Sequence, residues 1–179
     1  MRFLGLLAAA CLLGCGSPQQ SAFFSFEGSL QGWTPQAQGV GTSVWSVTTD
    51  PGVPYDGASS ARFAIENGTG SERVWLERTF ALRSSGRHRA HVDFAVLGVV
   101  EPAPPDRLIV GVLPAPPRNT DELQPAVQAQ GIAGTQWTQH AYEFEVSGGV
   151  VTVVVGVAAG VPGRTLYHLD ALTVLFDAL

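Results

Sequence analysis

The side chains that could recognise a ligand are carried by two successive predicted strands. In both strands apolar and polar residues alternate, which places neighbouring side chains on opposite faces of a sheet. The alternation puts Trp75 on the solvent side of one strand and Arg89, His91 and Asp93 on the solvent side of the next. An aromatic ring beside charged hydrogen-bonding groups is suited to binding a sugar. An ordinary polar face, with the tryptophan covered by a loop, explains the same pattern.

Residues that could carry out catalysis are sparse in this sequence. Glu143 and Glu145 lie two positions apart on one strand face and resemble the paired carboxylates of a glycosidase, but they also fit a solvated strand edge. The four histidines are scattered, without the close spacing of a catalytic metal site. No serine lies in a nucleophile-elbow sequence. We therefore expect that the chain is not an enzyme.

The amino-terminal sequence predicts export from the cytoplasm. One arginine is followed by an apolar run that ends at Leu13 and is too short to span a bilayer comfortably. Residues 12–15, Leu-Leu-Gly-Cys, resemble a bacterial lipobox, and this resemblance implies a signal peptide over residues 1–14, lipid on Cys15 and a tether over residues 15–21. An ordinary signal peptide cut a few residues later is the alternative.

The residue after the lipobox cysteine bears on the membrane that would hold the protein. Gly16 stands where some enteric lipoproteins carry the aspartate that retains them in the inner membrane. We therefore expect a bacterial cell-envelope protein, in the outer membrane rather than the inner one.

Charge and cysteine content limit the partners and the chemistry. The formal net charge is −5, and all ten basic residues are arginines that form no basic run. We therefore expect neither nucleic acid nor an anionic lipid surface as a partner. Cys11 lies in the signal and Cys15 would carry the lipid, so the folded part is expected to have no disulfide and no thiolate metal site.

Residues 22–179 are predicted to form one all-β domain with a sizeable core. Valine, threonine and aromatic residues are plentiful, and glycine and proline clusters separate the strands. A long connection over residues 114–135 is predicted to be a variable surface excursion or a functional loop. Trp33, Trp45 and Trp137, near strand starts or turns, are predicted to fill the core. About nine strands are expected, over residues 23–26, 43–49, 59–65, 74–82, 88–97, 108–113, 136–146, 150–158 and 167–176.

Five sequence patterns, taken in order, resemble the galactose-binding-like jelly roll of many carbohydrate-binding modules. The patterns lie at residues 26–33, 56–63, 76–82, 137–144 and 168–172. Arg78 and Ala171 depart from the family pattern, which has glutamine and an amide or acidic residue there. The resemblance covers residues 23 to 176 and implies a two-sheet antiparallel β-sandwich, in which the opening and closing strands can pair and hold the chain ends together.

The same resemblance implies a structural metal ion. In that family an acidic residue after the opening strand and one in the closing strand hold calcium together with backbone carbonyls. Glu27 and Asp170 occupy these positions here, with the turn near Asp56 supplying the carbonyls. The alternative is that both carboxylates accept hydrogen bonds from nearby backbone amides.

These observations together predict a lipid-anchored extracytoplasmic domain that recognises a glycan or a cell-envelope polymer without catalysis. A structural or protein-interaction lipoprotein is the alternative, and an apolar outer face at Val150, Val154 and Ala158 would favour it. A glycan-degrading enzyme is less expected. The sequence does not identify the ligand.

Overall fold

The computed structural model describes residues 19–99, 107–119, 122–123 and 136–179. The predicted signal peptide, the lipobox cysteine and most of the connection over residues 114–135 lie outside the described residues. The described residues contain no helix. They therefore include no helix that is long and apolar enough to cross a membrane.

The described residues form ten strands, one more than expected. The additional strand, β2, contains proline and glutamine and therefore lacks the apolar alternation that marks the other strands. It lies at a sheet edge, where proline is tolerated. The strands are β1 (Gln20–Phe24), β2 (Thr34–Gln38), β3 (Val44–Asp50), β4 (Ser60–Thr69), β5 (Arg73–Ala81), β6 (Arg87–Gly98), β7 (Arg107–Leu113), β8 (Thr138–Ser147), β9 (Val150–Ala158) and β10 (Pro162–Ala178).

The strands form two antiparallel sheets packed as a sandwich. The six-stranded sheet has the order β3-β4-β10-β6-β8, with β1 also paired to β10, and the four-stranded sheet has the order β2-β5-β9-β7. The expected all-β, two-sheet antiparallel sandwich is confirmed.

The two ends of the domain lie side by side. Strand β1 pairs with β10, Gln20 opposite Phe176 and Phe24 opposite Leu172, as the resemblance implied. Phe26, predicted to be in the opening strand, instead lies in the following turn with φ of 53° and is fully buried.

The core lies between the inner faces of the two sheets, as the alternation predicted. Leu76 and Phe80 of β5 face Val92 and Phe94 of β6 within one buried cluster. Strand β9 is buried on both faces from Val151 to Val157, which fits its unbroken apolar sequence and its position inside the sheet.

A β-bulge in β10 shapes the outer side of the six-stranded sheet. Asp170 lies opposite Ala95 of β6, but Thr173 lies opposite Asp93, so β10 advances by one extra residue. Ala171 takes up the extra length in the left-handed region, with φ of 51°. The bulge keeps apolar side chains facing the core on both of its sides.

Candidate functional site

A groove of about 410 Å³ lies on the outer face of the six-stranded sheet. One row of paired residues crosses its floor: Phe23 of β1, Thr173 of β10, Asp93 of β6 and Ala141 of β8. The residues that flank this row along the strands include Ala95 and Ala171. The groove forms a depression in the sheet surface because most of these side chains are small. The lining comprises Phe23, Tyr55, Asp93, Phe94, Ala95, Gln139, His140, Ala141, Ala171 and Thr173.

Aromatic rings rise on two sides of the floor. Tyr55 comes from the loop between β3 and β4, and 41% of its surface is exposed. Its hydroxyl accepts a hydrogen bond from Gln139 Nε2 at 2.6 Å, and its ring centroid lies 5.4 Å from that of Trp137. On the other side Phe23 is 55% exposed. A groove between two such rings can hold a flat, partly apolar ligand.

A buried carboxylate fixes the loop that carries Tyr55. Asp170 Oδ2 accepts hydrogen bonds from the backbone N–H groups of Tyr55 at 2.9 Å and Asp56 at 3.0 Å, and Oδ1 accepts one from Ala171 at 2.7 Å. Burial raises the pKa of Asp170, and these N–H groups oppose that rise. Asp170 therefore links β10 to the tyrosine wall of the groove.

Glu27 reaches the same loop from the opposite end of the chain. Its Oε1 accepts a hydrogen bond from the backbone N–H of Ala58 at 2.8 Å. Gly57 is required beside it, because φ is 72° and an added Cβ would overlap Glu27 Oε1. Both predicted metal-binding carboxylates thus converge on residues 55–58.

The residues around this loop partly fit a calcium ion. Two carboxylates reach one turn, and the negative charge of Asp56 also raises the pKa of Asp170, so a cation would relieve repulsion here. The carboxylate oxygens, however, already accept hydrogen bonds from backbone N–H groups. The described residues also contain no group of three or more acidic, histidine or cysteine side chains that could hold a metal ion. The calcium site therefore stays a prediction.

The fold is shared with solved carbohydrate-binding modules. No protein-family model matches the chain, and no curated protein matches its sequence. The CBM22-1 xylan-binding domain of Xyn10C from Paenibacillus barcinonensis superimposes with a TM-score of 0.58 at 17% identity, covering 92% of this chain and 97% of that one. TmCBM61, solved in complex with β-1,4-galactotriose, gives 0.56 at 16% identity, covering 86% and 94%.

A similar fold also occurs in a cleaved adhesin domain. The K3 cleaved adhesin domain of Lys-gingipain from Porphyromonas gingivalis gives a TM-score of 0.60 at 15% identity, covering 88% of this chain and 99% of that one. At these identities the likeness concerns the fold.

The structure places three of the four predicted ligand-binding residues on the face that contains the groove. Asp93 lies in the groove floor. Arg89 and His91 lie farther along β6, where Arg89 Nε is 4.0 Å from Glu143 Oε2. His91 lies between two carboxylates, with Nδ1 3.3 Å from Glu143 Oε1 and Nε2 3.5 Å from Asp177 Oδ2. These two side chains are occupied by acidic neighbours and do not line the groove.

The placement of Trp75 with these residues on one surface was wrong. Strand β5 belongs to the four-stranded sheet, so Trp75 lies on the other side of the sandwich from β6. It is 4% exposed and packs with Ile109, Val154 and Leu123, the last from the long connection. Alternation assigns a side chain to a face of its strand, but it does not tell which sheet the strand joins.

The apolar outer face that would favour a protein-interaction role is mostly covered. Val154 is fully buried in the cluster with Trp75, and Ala158 packs against that cluster. Only Val150 of the three is strongly exposed, at 52%.

The tryptophans and glutamates divide between core and surface. Trp33 is buried in the core, as predicted, and Trp45 packs against it. Trp137 instead stands beside Tyr55 at the groove. Glu143 and Glu145 are exposed and each has a basic neighbour, with Glu145 Oε2 2.7 Å from Arg87 Nη2.

Sequence reasoning missed the two side chains that build one groove wall, Tyr55 and Gln139. Tyr55 lies in a turn rich in proline and glycine, which gives no periodic signal. Gln139 lies on the polar side of an alternating strand, where a solvated residue is the ordinary expectation. A tyrosine directly before the Asp56-Gly57 turn was the available signal.

Proposed function

We propose that this chain binds a glycan or cell-envelope polymer through the groove between Tyr55 and Phe23, without catalysis. The observation that carries the proposal is the combination of two exposed aromatic rings with the polar groups of Gln139 and Asp93 around one depression. Saccharides offer apolar faces to rings and hydroxyl groups to carboxylates and amides. The groove volume falls within the range of ligand sites, roughly 300–1,000 Å³.

A non-catalytic role fits the positions of the acidic residues. Glycoside hydrolysis uses two carboxylates on either side of the scissile bond. Asp93 is the single acidic residue among the described residues of the groove lining. Glu143 and Glu145 lie on one side of β8 and are held by basic neighbours, so they do not face each other across a ligand.

The test is binding of the full chain, purified in detergent, to an array that includes xylans and β-1,4-galactans. We expect binding to at least one polysaccharide and a loss of up to about tenfold in affinity for Tyr55→Ala, because an aromatic contact is removed. Val150→Ala, which removes an exposed apolar side chain outside the groove, is the control and should bind normally. Absence of binding across the array would contradict the proposal and favour the protein-interaction alternative.

We further propose that the domain is held at the bacterial envelope by lipid on Cys15. The lipobox-like sequence of residues 12–15 supports this. The outer membrane is the proposed location because Gly16 follows the cysteine.

We also propose that Glu27 and Asp170 hold a structural calcium ion at the loop of residues 55–58. The ion would supply positive charge between carboxylates that otherwise repel. The ion would stabilise the loop that carries Tyr55. It would not contact the bound ligand.

A further inference from the structure

Among the residues that the structure describes, the groove contains one charged side chain, and that side chain has no counterion. Asp93 forms no side-chain hydrogen bond or ion pair with the part of the chain that the structure describes. Its neighbours across the sheet are Thr173 on β10 and Ala141 on β8, which are too short to cover it. The carboxylate is therefore open to whatever occupies the groove.

The basic groups closest along the same face do not neutralise this carboxylate. Arg89 and His91 share the solvent side of β6 with Asp93, but both contact Glu143, and His91 also contacts Asp177. Two carboxylates other than Asp93 already contact these side chains. Of the described residues, no arginine lines the groove.

The histidine in the lining does not supply positive charge either. Burial lowers the pKa of His140, which disfavours the charged form of its ring. The ring stacks with those of Phe94 and Tyr142, and Nε2 lies 3.0 Å from Thr138 Oγ1. The groove is thus a site with aromatic sides and an unbalanced negative charge in its floor.

We infer that the groove prefers saccharides that carry a free amino group, and that Asp93 is the residue that determines this specificity. The inference rests on the proposed glycan-binding function. A protonated amine can donate charge-assisted hydrogen bonds to Asp93, which are stronger than those from a hydroxyl group or an acetamido group. A uronic acid would bring a second negative charge to the same place and is disfavoured.

The experiment compares four β-1,4-linked oligosaccharides of equal length and gluco configuration, whose sugars bear a hydroxyl, an N-acetyl, a free amino or a carboxylate group. The full chain in detergent is titrated with each by calorimetry. We expect the amino form to bind about tenfold more tightly than the N-acetyl form and the uronate form to bind most weakly. The advantage of the amino form should shrink as salt is raised.

Two variants separate the role of Asp93 from the general negative charge of the chain. Asp93→Asn keeps the shape of the side chain and should bind the amino and N-acetyl forms equally. Glu145→Gln removes an exposed carboxylate from the same face, outside the groove, and should keep the preference. Melting curves should show that both variants are folded.

The outcomes distinguish this inference from the function on which it rests. Equal binding of the amino and N-acetyl forms, tighter binding of the uronate, or a preference that survives Asp93→Asn would overturn the specificity. Failure of the whole gluco series would overturn it as well, while binding to a xylan or galactan would still uphold glycan recognition. Failure on every glycan would overturn both.

Discussion

Glu72 is a fully buried carboxylate that organises the turn between β4 and β5. Its oxygens accept hydrogen bonds from the backbone N–H groups of Thr69, Gly70 and Ser71 at 2.6 to 3.1 Å. The hydroxyl groups of Ser43 and Thr69 donate two more. Burial alone would raise the pKa of Glu72, but these hydrogen bonds outweigh it and lower the pKa to about 2.

We expect Glu72→Gln to destabilise the domain by about 1–3 kcal/mol near neutral pH, because an amide NH2 group replaces one carboxylate oxygen and the donors to that oxygen lose their acceptor. The pKa of Glu72 in the folded state lies below the ordinary glutamate value of 4.5, so the stabilisation is present above pH 4.5 and is lost as the pH falls towards 2. The free energy of unfolding, measured in urea near neutral pH and at about pH 3, should therefore differ less between wild type and variant in acid. Glu66→Gln, a half-exposed partner of Arg164, is the control. The same difference in unfolding free energy at both pH values would contradict the lowered pKa of Glu72.

The individual residues of the groove were only partly predictable. Alternation placed Asp93 on the solvent side of β6, and the structure agrees. Tyr55 could not be found, because its position depends on a hydrogen bond to Asp170, which is 115 positions away in the sequence. Such a contact depends on the tertiary pairing of β10 with β4 and β6.

At the scale of elements, strands with a periodic apolar pattern were predictable and the irregular ones were not. Strand β9 was recognised as central because its apolar run has no polar side. Strand β2 was missed because an edge strand buries little surface and needs little apolar pattern. The bulge in β10 was also missed, since Ala171 in the left-handed region carries no sequence signature of glycine or asparagine.

The loop that links β3 to β4 is held to β10 by Asp170 and to the opening turn by Glu27. If calcium also binds these carboxylates, it stabilises only the folded domain, by ~2.7 kcal/mol at about a hundred times its dissociation constant. We therefore expect a chelator to lower the melting temperature, measured by circular dichroism, relative to excess calcium. Asp170→Ala should melt at a lower temperature and should no longer respond to calcium.

The control for this experiment is Asp177→Ala, which removes a partly exposed carboxylate from the same strand, away from the loop. It should keep the full response to calcium. Identical melting of the wild-type protein in calcium and in chelator would show that the backbone N–H groups alone satisfy Glu27 and Asp170.

At the scale of the whole molecule, the sandwich closes on itself by pairing β1 with β10. The resemblance to the jelly-roll family implied this pairing of the opening and closing strands. The same pairing brings Phe23 to the groove, so the element that joins the chain ends also contributes to the candidate site. Strand β1 begins at Gln20, five positions after Cys15, the residue proposed to carry the lipid. The domain would therefore lie close to the membrane surface.

The manner of membrane attachment can be tested on the intact protein in cells. With a formal net charge of −5 and no basic run, the chain has little electrostatic attraction to anionic lipid. We therefore expect the wild-type protein to stay in the membrane fraction through a wash with about 1 M salt and to be released only by detergent, because acyl chains hold it. Cys15→Ser should appear in the soluble fraction, whereas Cys11→Ser, within the predicted signal, should remain membrane-bound. Mass spectrometry of an unmodified amino terminus, or membrane retention of Cys15→Ser, would contradict the lipid anchor.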